Sequence, residues 1–363
     1  MTSTAQKRSP WDWQVKDLPE LLEAAKAGKG ESLWRDAWRR LRRNRAASWC
    51  LLFLFLVGLG SLLAPLWPLA SPMALDLQDE PQSPVWPWQA FGDGGWSRDG
   101  YWSLTMLDSW LLNLREAIFG DFQLGHWLGT DSKGRDLMAR IVWGSRISIQ
   151  VAVAATTCSV IVGVTYGAFS GLMGGRIDNL MMRFVDVLYS VPFIFVVIFI
   201  ITILQGSGDS AGAGSTQRLT VFYLVIGLIY WLTMARVVRG QVLSLKQSEF
   251  VDAARVLGAS TARILFVHIV PNVLSIVIIY LTLTIPAVML FEAFLTFLGL
   301  GVQSPQVSWG LLAVDGIEAI SPIKTFWWLV IFPALAMGST LLALNILGDG
   351  LRDALDPKLR GKD

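Results

Sequence analysis

Six stretches of this sequence run far enough without a charged residue to cross a lipid bilayer: Ala46–Leu75, Ile147–Gly175, Val187–Gly208, Leu219–Ala235, Ile264–Phe291 and Thr325–Gly348. A span needs roughly 20 apolar residues, because about 30 Å of hydrocarbon is crossed at 1.5 Å per residue. Hydrocarbon offers no water to backbone amides, so each such stretch is expected to be a helix. A seventh uncharged stretch, Ala293–Val314, contains Gly299, Gly301, Gln303, Ser304, Pro305, Gln306, Ser308 and Gly310. It is expected to be a loop or a re-entrant segment. The expected fold class is an all-α membrane protein with six transmembrane helices.

Composition agrees. Hydrophobic residues make up 53% and charged residues 16%, against about 25% charged in soluble domains. The 17 Trp and 33 Gly suit membrane interfaces and transmembrane helices. A net charge of +2 gives no global electrostatic case for nucleic-acid binding. Cys50 and Cys158 each sit inside an apolar run and are expected to be small buried hydrophobes. With His126 and His268 the only imidazoles, no metal cluster is expected.

Lys and Arg set the orientation. Six spans place both termini on one side, together with the segments around Gly174–Arg183 and Arg236–Arg263. That side collects 22 of the 30 basic residues, 11 of them before Ala46, so both termini are expected to be cytoplasmic. The Arg35–Arg45 cluster is expected to be a topology anchor near anionic headgroups rather than a nucleic-acid arm. The resulting division is a cytoplasmic tail over 1–45, a first span over 46–66 and an extended periplasmic segment over 67–146. A five-span core over 147–350 and a cytoplasmic tail over 351–363 follow. Within the periplasmic segment, Leu104–Phe119 has the pattern of an amphipathic helix, and Gln205–Gln217 reads as a flexible loop.

The cytoplasmic stretch Glu249–Ser260, EFVDAARVLGAS, has its own pattern. Phe250, Ala253, Ala254 and Leu257 fall at i, i+3, i+4 and i+7, which predicts a short helix with one apolar stripe. Glu249, Asp252 and Arg255 form an adjacent charged stripe, and Gly258 stands where a left-handed residue ends a helix. A membrane-surface helix without a partner fits this periodicity as well as a docking helix does.

A family resemblance separates the two. Glu249–Asn272 resembles the EAA loop of importer permeases of the ATP-binding cassette superfamily: Asp252, Ala253 and Ala254 match the acidic-Ala-Ala element, Gly258 its glycine, and Ile269 and Pro271 the trailing Ile-x-Pro. Asp252 stands in place of the usual Glu. The stretch from His126, HWLGTDSKGRDLMARIVWGSRISI, resembles the signature of dipeptide, oligopeptide and nickel permeases at Gly129, Thr130, Asp131, Gly134, Arg135 and Asp136, with Trp127 at the family's proline position. The stretches from Gly174, Glu292 and Leu344 are similar to the same subfamily, so the likeness runs from about His126 to the C-terminus. An N-terminal span before a five-span core is what the second permease subunit of such systems has.

The resemblance implies a type I importer permease fold in the bacterial inner membrane. It implies a second permease subunit as partner, two cytosolic ATPases docked on the EAA helices, and a periplasmic substrate-binding protein. ATP and Mg²⁺ would be used by the ATPases, with no cofactor bound by this chain. The coupling residues are then Glu249, Phe250, Asp252, Ala253, Ala254, Arg255, Leu257 and Gly258, with Phe250 and Leu257 as apolar anchors. The chain lacks Gly-x4-Gly-Lys-Ser/Thr, since Gly28-Lys29-Gly30 has neither the upstream Gly nor the hydroxyl. No Ser/His/Asp arrangement is apparent either, so no catalytic residue is expected.

Three further groups are singled out. Asp186, paired with Arg183 one turn earlier, and Glu292 are pathway or interhelical polar candidates, because charges in a span face protein or water. Asp131, Arg135 and Asp136 are expected to receive the binding protein or to cap the segment entering the second span. Asp315 and Glu318 are expected to be solvated surface. Two other functions remain open to the residues alone: an ion-gradient transporter with Asp186 and Glu292 as coupling carboxylates, and a scaffold presenting Asp79–Asp121 to an extracellular partner.

Overall fold

The computed structural model describes residues 33–74, 81–85, 96, 101, 105–206, 215–320, 322 and 324–355. All the regular elements of more than one turn among them are helical. In chain order they are α1 (Leu33–Arg43), α2 (Arg45–Leu62), α3 (Met106–Phe119), α4 (Leu137–Met173), α5 (Gly175–Ser190), α6 (Phe193–Gly206), α7 (Ser215–Leu245), α8 (Glu249–Val256), α9 (Thr261–Phe297), α10 (Trp309–Glu318) and α11 (Trp327–Leu355). Most of 75–104 and the centre of the expected loop at Gln205–Gln217 lie outside the described residues.

Five of these helices, α2, α4, α7, α9 and α11, are long and apolar enough to cross a membrane. The sixth crossing differs from the expected one. The segment 174–183 is not a connection, because α4 ends at Met173 and α5 begins at Gly175, after a turn in which Gly174 and Gly175 both hold positive φ. The helix then breaks at Val191–Pro192, and α5 and α6 meet at 80°. Val191 is extended, as the residue before a proline prefers to be, and Pro192 has no N–H to carry the ladder across. The third span is therefore a bent pair rather than one rod over Val187–Gly208.

α4 and α7 form the tightest pair. Gly163, Gly167 and Gly171 lie four residues apart on one face of α4. A Cβ added at Gly163 would stand 2.6 Å from Met234 Cβ, and one at Gly171 would stand 2.9 Å from Val242 Cβ. A Cβ at Gly167 would collide with the Ala235 carbonyl oxygen. Across the same seam Gly227 of α7 lies against Cys158. Small residues at this spacing let backbones approach where lipid gives no hydrophobic drive to association.

Two apolar clusters stack along this pair. One joins α4, α7, α9, α10 and α11 through Val151, Ala155, Ile226, Met289, Leu312 and Leu329. The other joins α4, α7, α8 and α9 through Ala168, Val238, Val251, Ile269 and Val273. α9 carries a π-helical turn over Ile264–Ile269 just before Pro271. Proline at Pro271 cannot donate to the preceding turn, and widening the helix accommodates the missing bond. The uncharged stretch Ala293–Val314 is loop only in its middle: α10 grows from it, capped by Ser308 Oγ accepting from Leu311 N at 3.1 Å. The amphipathic pattern at Leu104–Phe119 becomes α3, opened by a capping box between Thr105 and Asp108.

Replacing Gly167 with Leu should destabilise the chain by about 1–3 kcal/mol or more through overpacking. Gly240→Ala should do little, because nothing lies within 4 Å of a Cβ there. Unfolding midpoints in detergent for the two variants check the contrast, and equal midpoints would remove the seam from this account.

Candidate functional site: a short helix and two polar clusters

α8 stands between two long helices, α7 and α9. Glu249 and Asp252 occupy its first turn and Arg255 its last, each sign matched to the helix dipole. Arg255 pairs with Asp252 at 3.0 Å, but both are exposed, so the pair adds little. The C-terminus closes as a Schellman motif: Gly258 N–H donates to Arg255 O at 2.9 Å and Ala259 N–H to Ala254 O at 3.0 Å. Gly258 holds φ +80° there, the left-handed role expected of it.

The apolar faces are divided differently from the expected single stripe. Val251 and Ala254 are buried against Val242, Ile264 and Ile269. Ala254 therefore holds α8 to the bundle and does not present itself outward. The outer face carries Phe250, 41% exposed, Leu257, 86% exposed, and Val256. Ala253, Glu249, Asp252 and Arg255 are exposed as well. Leu257 stands one residue beyond the helix, as its C-cap.

Behind α8 opens a cleft of about 640 Å³ lined by Gly174, Gly175, Leu243, Lys246, Gln247, Asp252 and Arg255. A polar clamp borders it. Asp178 of α5 accepts from Arg239 Nε and NH2 of α7, both at 2.6 Å, and from Ser170 Oγ of α4 at 2.6 Å. Lys246 Nζ donates to the Leu172 carbonyl. The Arg239 and Lys246 ties cross between helices far apart in sequence, so no local periodicity announces them.

At the opposite ends of α4 and α7 lies a second polar cluster. Asp131 accepts from Arg135 Nε and Arg140 NH1, both at 2.6 Å, and Arg140 NH2 reaches Asp315 of α10 at 2.9 Å. Asp131, Arg135, Asp136 and Arg140 are buried. This corrects the expectation of a docking surface: Asp131, Arg135 and Asp136 offer no free face to a partner. Asp136 instead caps α4, accepting from Ala139 N at 2.8 Å. Asp315 is bound into the cluster although partly exposed, and Glu318 is exposed. Burying these side chains is tolerated because Asp131, Arg135 and Arg140 are ion-paired and Asp136 is hydrogen-bonded.

Glu292 is buried inside the bundle. It accepts from Thr296 Oγ1 at 3.1 Å and Ser148 Oγ at 3.4 Å, and Ser148 Oγ in turn accepts from Trp309 N at 3.1 Å. The carboxylate thus secures the start of α10 through a hydroxyl. Gly310 makes room for this, since a Cβ there would stand 2.7 Å from Ala293 Cα. Asp186 does not pair with Arg183. Arg236 of α7 reaches it at 2.8 Å, with its guanidinium lying over the Tyr189 ring at 4.0 Å. The ring holds Arg236 in place, and Arg183 stays exposed.

α3 packs beside this end of the bundle. Its Asp108 pairs with Arg146 of α4 at 2.6 Å. Arg115, fully buried, lies over the Trp96 ring at 3.9 Å and donates to Phe122 O at 2.8 Å. Burial pushes its guanidinium below the ordinary value.

Residues 163–361 match the family described as the inner membrane component of binding-protein-dependent transport systems. The chain belongs to that family. Residues 32–84 match the N-terminal transmembrane domain of oligopeptide transport permease C. The oligopeptide transport system permease protein OppC of Escherichia coli (strain K12) is 43% identical over 348 residues, which cover 95% of this chain and 97% of that protein. The corresponding protein of Haemophilus influenzae is 40% identical over 98% of this chain and 97% of its own length. The dipeptide transport system permease protein DppC of Bacillus subtilis (strain 168) is 37% identical over 97% of this chain and 94% of its own. The chain is thus an ABC-type permease subunit, and the ion-gradient alternative falls.

Arg140→Met should leave Asp131 and Asp315 short of a partner and cost about 3–5 kcal/mol, whereas Glu318→Gln should stay within about 0.5 kcal/mol. Thermal aggregation of the detergent-solubilised variants tests this. An Arg140→Met protein as stable as the parent would mean that the cluster does not hold α10.

Proposed function

We propose that this chain is the second permease subunit of an importer for peptides or related small solutes in the bacterial inner membrane, with both termini in the cytoplasm. It forms half of the translocation pathway, and a second permease subunit forms the other half. Two cytosolic ATPases, which use ATP and Mg²⁺, seat on the α8 helices of the two subunits. A periplasmic binding protein delivers the solute. The names of the relatives support the solute class, and the 22 basic residues on one side support the orientation.

The observation that carries the coupling role is the two-faced character of α8. Its inner face, Val251 and Ala254, is bonded into the core between α7 and α9. Its outer face leaves Phe250, Val256 and Leu257 without cover. An apolar patch flanked by Glu249, Asp252 and Arg255 has the make-up of a small docking site, with an apolar centre and a charged rim. What seats on Phe250 and Leu257 therefore moves Val251, and with it the ends of α7 and α9. The bundle then has two states whose balance depends on the docked ATPases. In this scheme Asp131, Arg135 and Arg140 hold α10 against α4 through Asp315, Asp136 caps α4, and the receptor meets other surfaces.

Phe250→Asp or Leu257→Asp should each weaken ATPase association by about 2 kcal/mol or more, roughly thirty-fold, while membrane insertion is unchanged. Copurification of the ATPases with each variant reads this directly. ATPase recovery equal to the parent in both variants would refute docking on this face.

A further inference from the structure

The Arg-rich segment before the first span is a docked helix and not a loose tail. Ala37 and Leu41 of α1 are buried with Ala47, Leu347 and Ala354. Gly350 of α11 is part of the same contact, since a Cβ there would stand 2.5 Å from Ala47 Cβ. One residue, Asn44, separates α1 from α2, and its side chain caps α2 by accepting from Ala47 N at 3.2 Å. The orientation of α1 is therefore fixed by packing on the last helix, and one side of it is turned permanently outward.

That outward side has a consistent chemistry. Arg35, Trp38 and Arg42 follow one another at three and four residues, which places them on one helix face. Arg45 and Trp49 continue the series into the first turn of α2. Trp38 is 47% exposed and Trp49 70%, and the Arg42 guanidinium lies over the Trp38 ring at 5.0 Å. Arg35, Arg42 and Arg45 are exposed, and among the described residues none of the three is ion-paired. The nearby acid, Asp36, is engaged by Arg40 at 3.4 Å. Guanidiniums with no ion-pair partner among the described residues, interleaved with uncovered indoles, suit neither open water nor hydrocarbon. Indoles settle at the headgroup level, and basic residues just outside a span attract anionic headgroups. The neighbouring α2 is almost wholly unburied within the protein, so this face borders the bilayer.

We propose that the outer face of α1 and the start of α2 form a binding site for anionic phospholipid headgroups, with Arg35, Arg42 and Arg45 pairing to phosphate and Trp38 and Trp49 setting the depth. The lipid then presses α1 onto α11, and fastens the first span to the last. The proposal does not depend on the ATPase reading, nor on which side of the membrane the termini occupy.

Hydrogen–deuterium exchange of 33–43 in the full chain tests it, in nanodiscs of phosphatidylcholine alone or mixed with phosphatidylglycerol. Phosphatidylglycerol should slow exchange there by roughly fivefold per engaged arginine at low salt, and added salt should reverse this. The triple variant Arg35→Gln, Arg42→Gln, Arg45→Gln should lose the lipid dependence, and the matching triple Lys variant should keep most of it. Equal exchange in the two lipids overturns the proposal. So does protection that survives the triple Gln variant, or protection that appears only on adding ATPases and ignores lipid charge. Should the triple variant fail to insert, the salt titration of the parent decides, and protection insensitive to salt counts against the site.

Discussion

The architecture rests on how closely α4 and α7 approach each other. Lipid tails are as apolar as leucine, so two spans gain little by hiding apolar surface from each other. What remains is dispersion, which fades within an ångström of lost contact. Gly163, Gly167 and Gly171 remove the side chains that would hold the two helices apart. α9 packs on that pair, α11 joins it mainly through α9 and α10, and α8 hangs from the end of α7.

Polar groups then fix what dispersion leaves loose. A short helix such as α10 has little apolar area with which to hold its place. It is secured at its start by Ser148 and the Glu292 carboxylate, and near its end by Arg140 through Asp315. Each anchor is expensive to break, because a buried charge left without a partner cannot return to water. The two anchors make α10 part of the bundle instead of a mobile loop, even though it descends from a stretch rich in glycine and polar residues.

The sequence made the membrane class, five of the crossings, α3 and the ends of α8 legible, because each of these follows from local periodicity, capping or charge-free length. The Gly258 terminus was readable for the same reason. Long-range pairings were not. Asp186 looked like the partner of Arg183 because both lie on one helix face, whereas Arg236, held by Tyr189, comes from another helix. Asp131 and Arg135 looked accessible because their segment is polar, and only the folded chain brings Arg140 and Asp315 over them. Periodicity puts Ala254 on one stripe with Phe250 and Leu257, whereas the fold buries it with Val251, since alanine is small enough for either face. The Gly163–Gly167–Gly171 spacing was visible in the sequence, and its four-residue period is the signal that would have found the α4–α7 seam.

The joint at Pro192 has a mechanical consequence. α4 and α7 are zipped along their length, and pinned at the foot by Asp178 and Lys246, so they resist bending like a stiff spar. α5 shares that pin through Asp178, while α6 starts afresh beyond the proline. The third crossing, by contrast, folds by 80° where Pro192 interrupts the backbone ladder. The one crossing whose backbone ladder is broken by proline thus lies next to the pair whose backbones approach most closely.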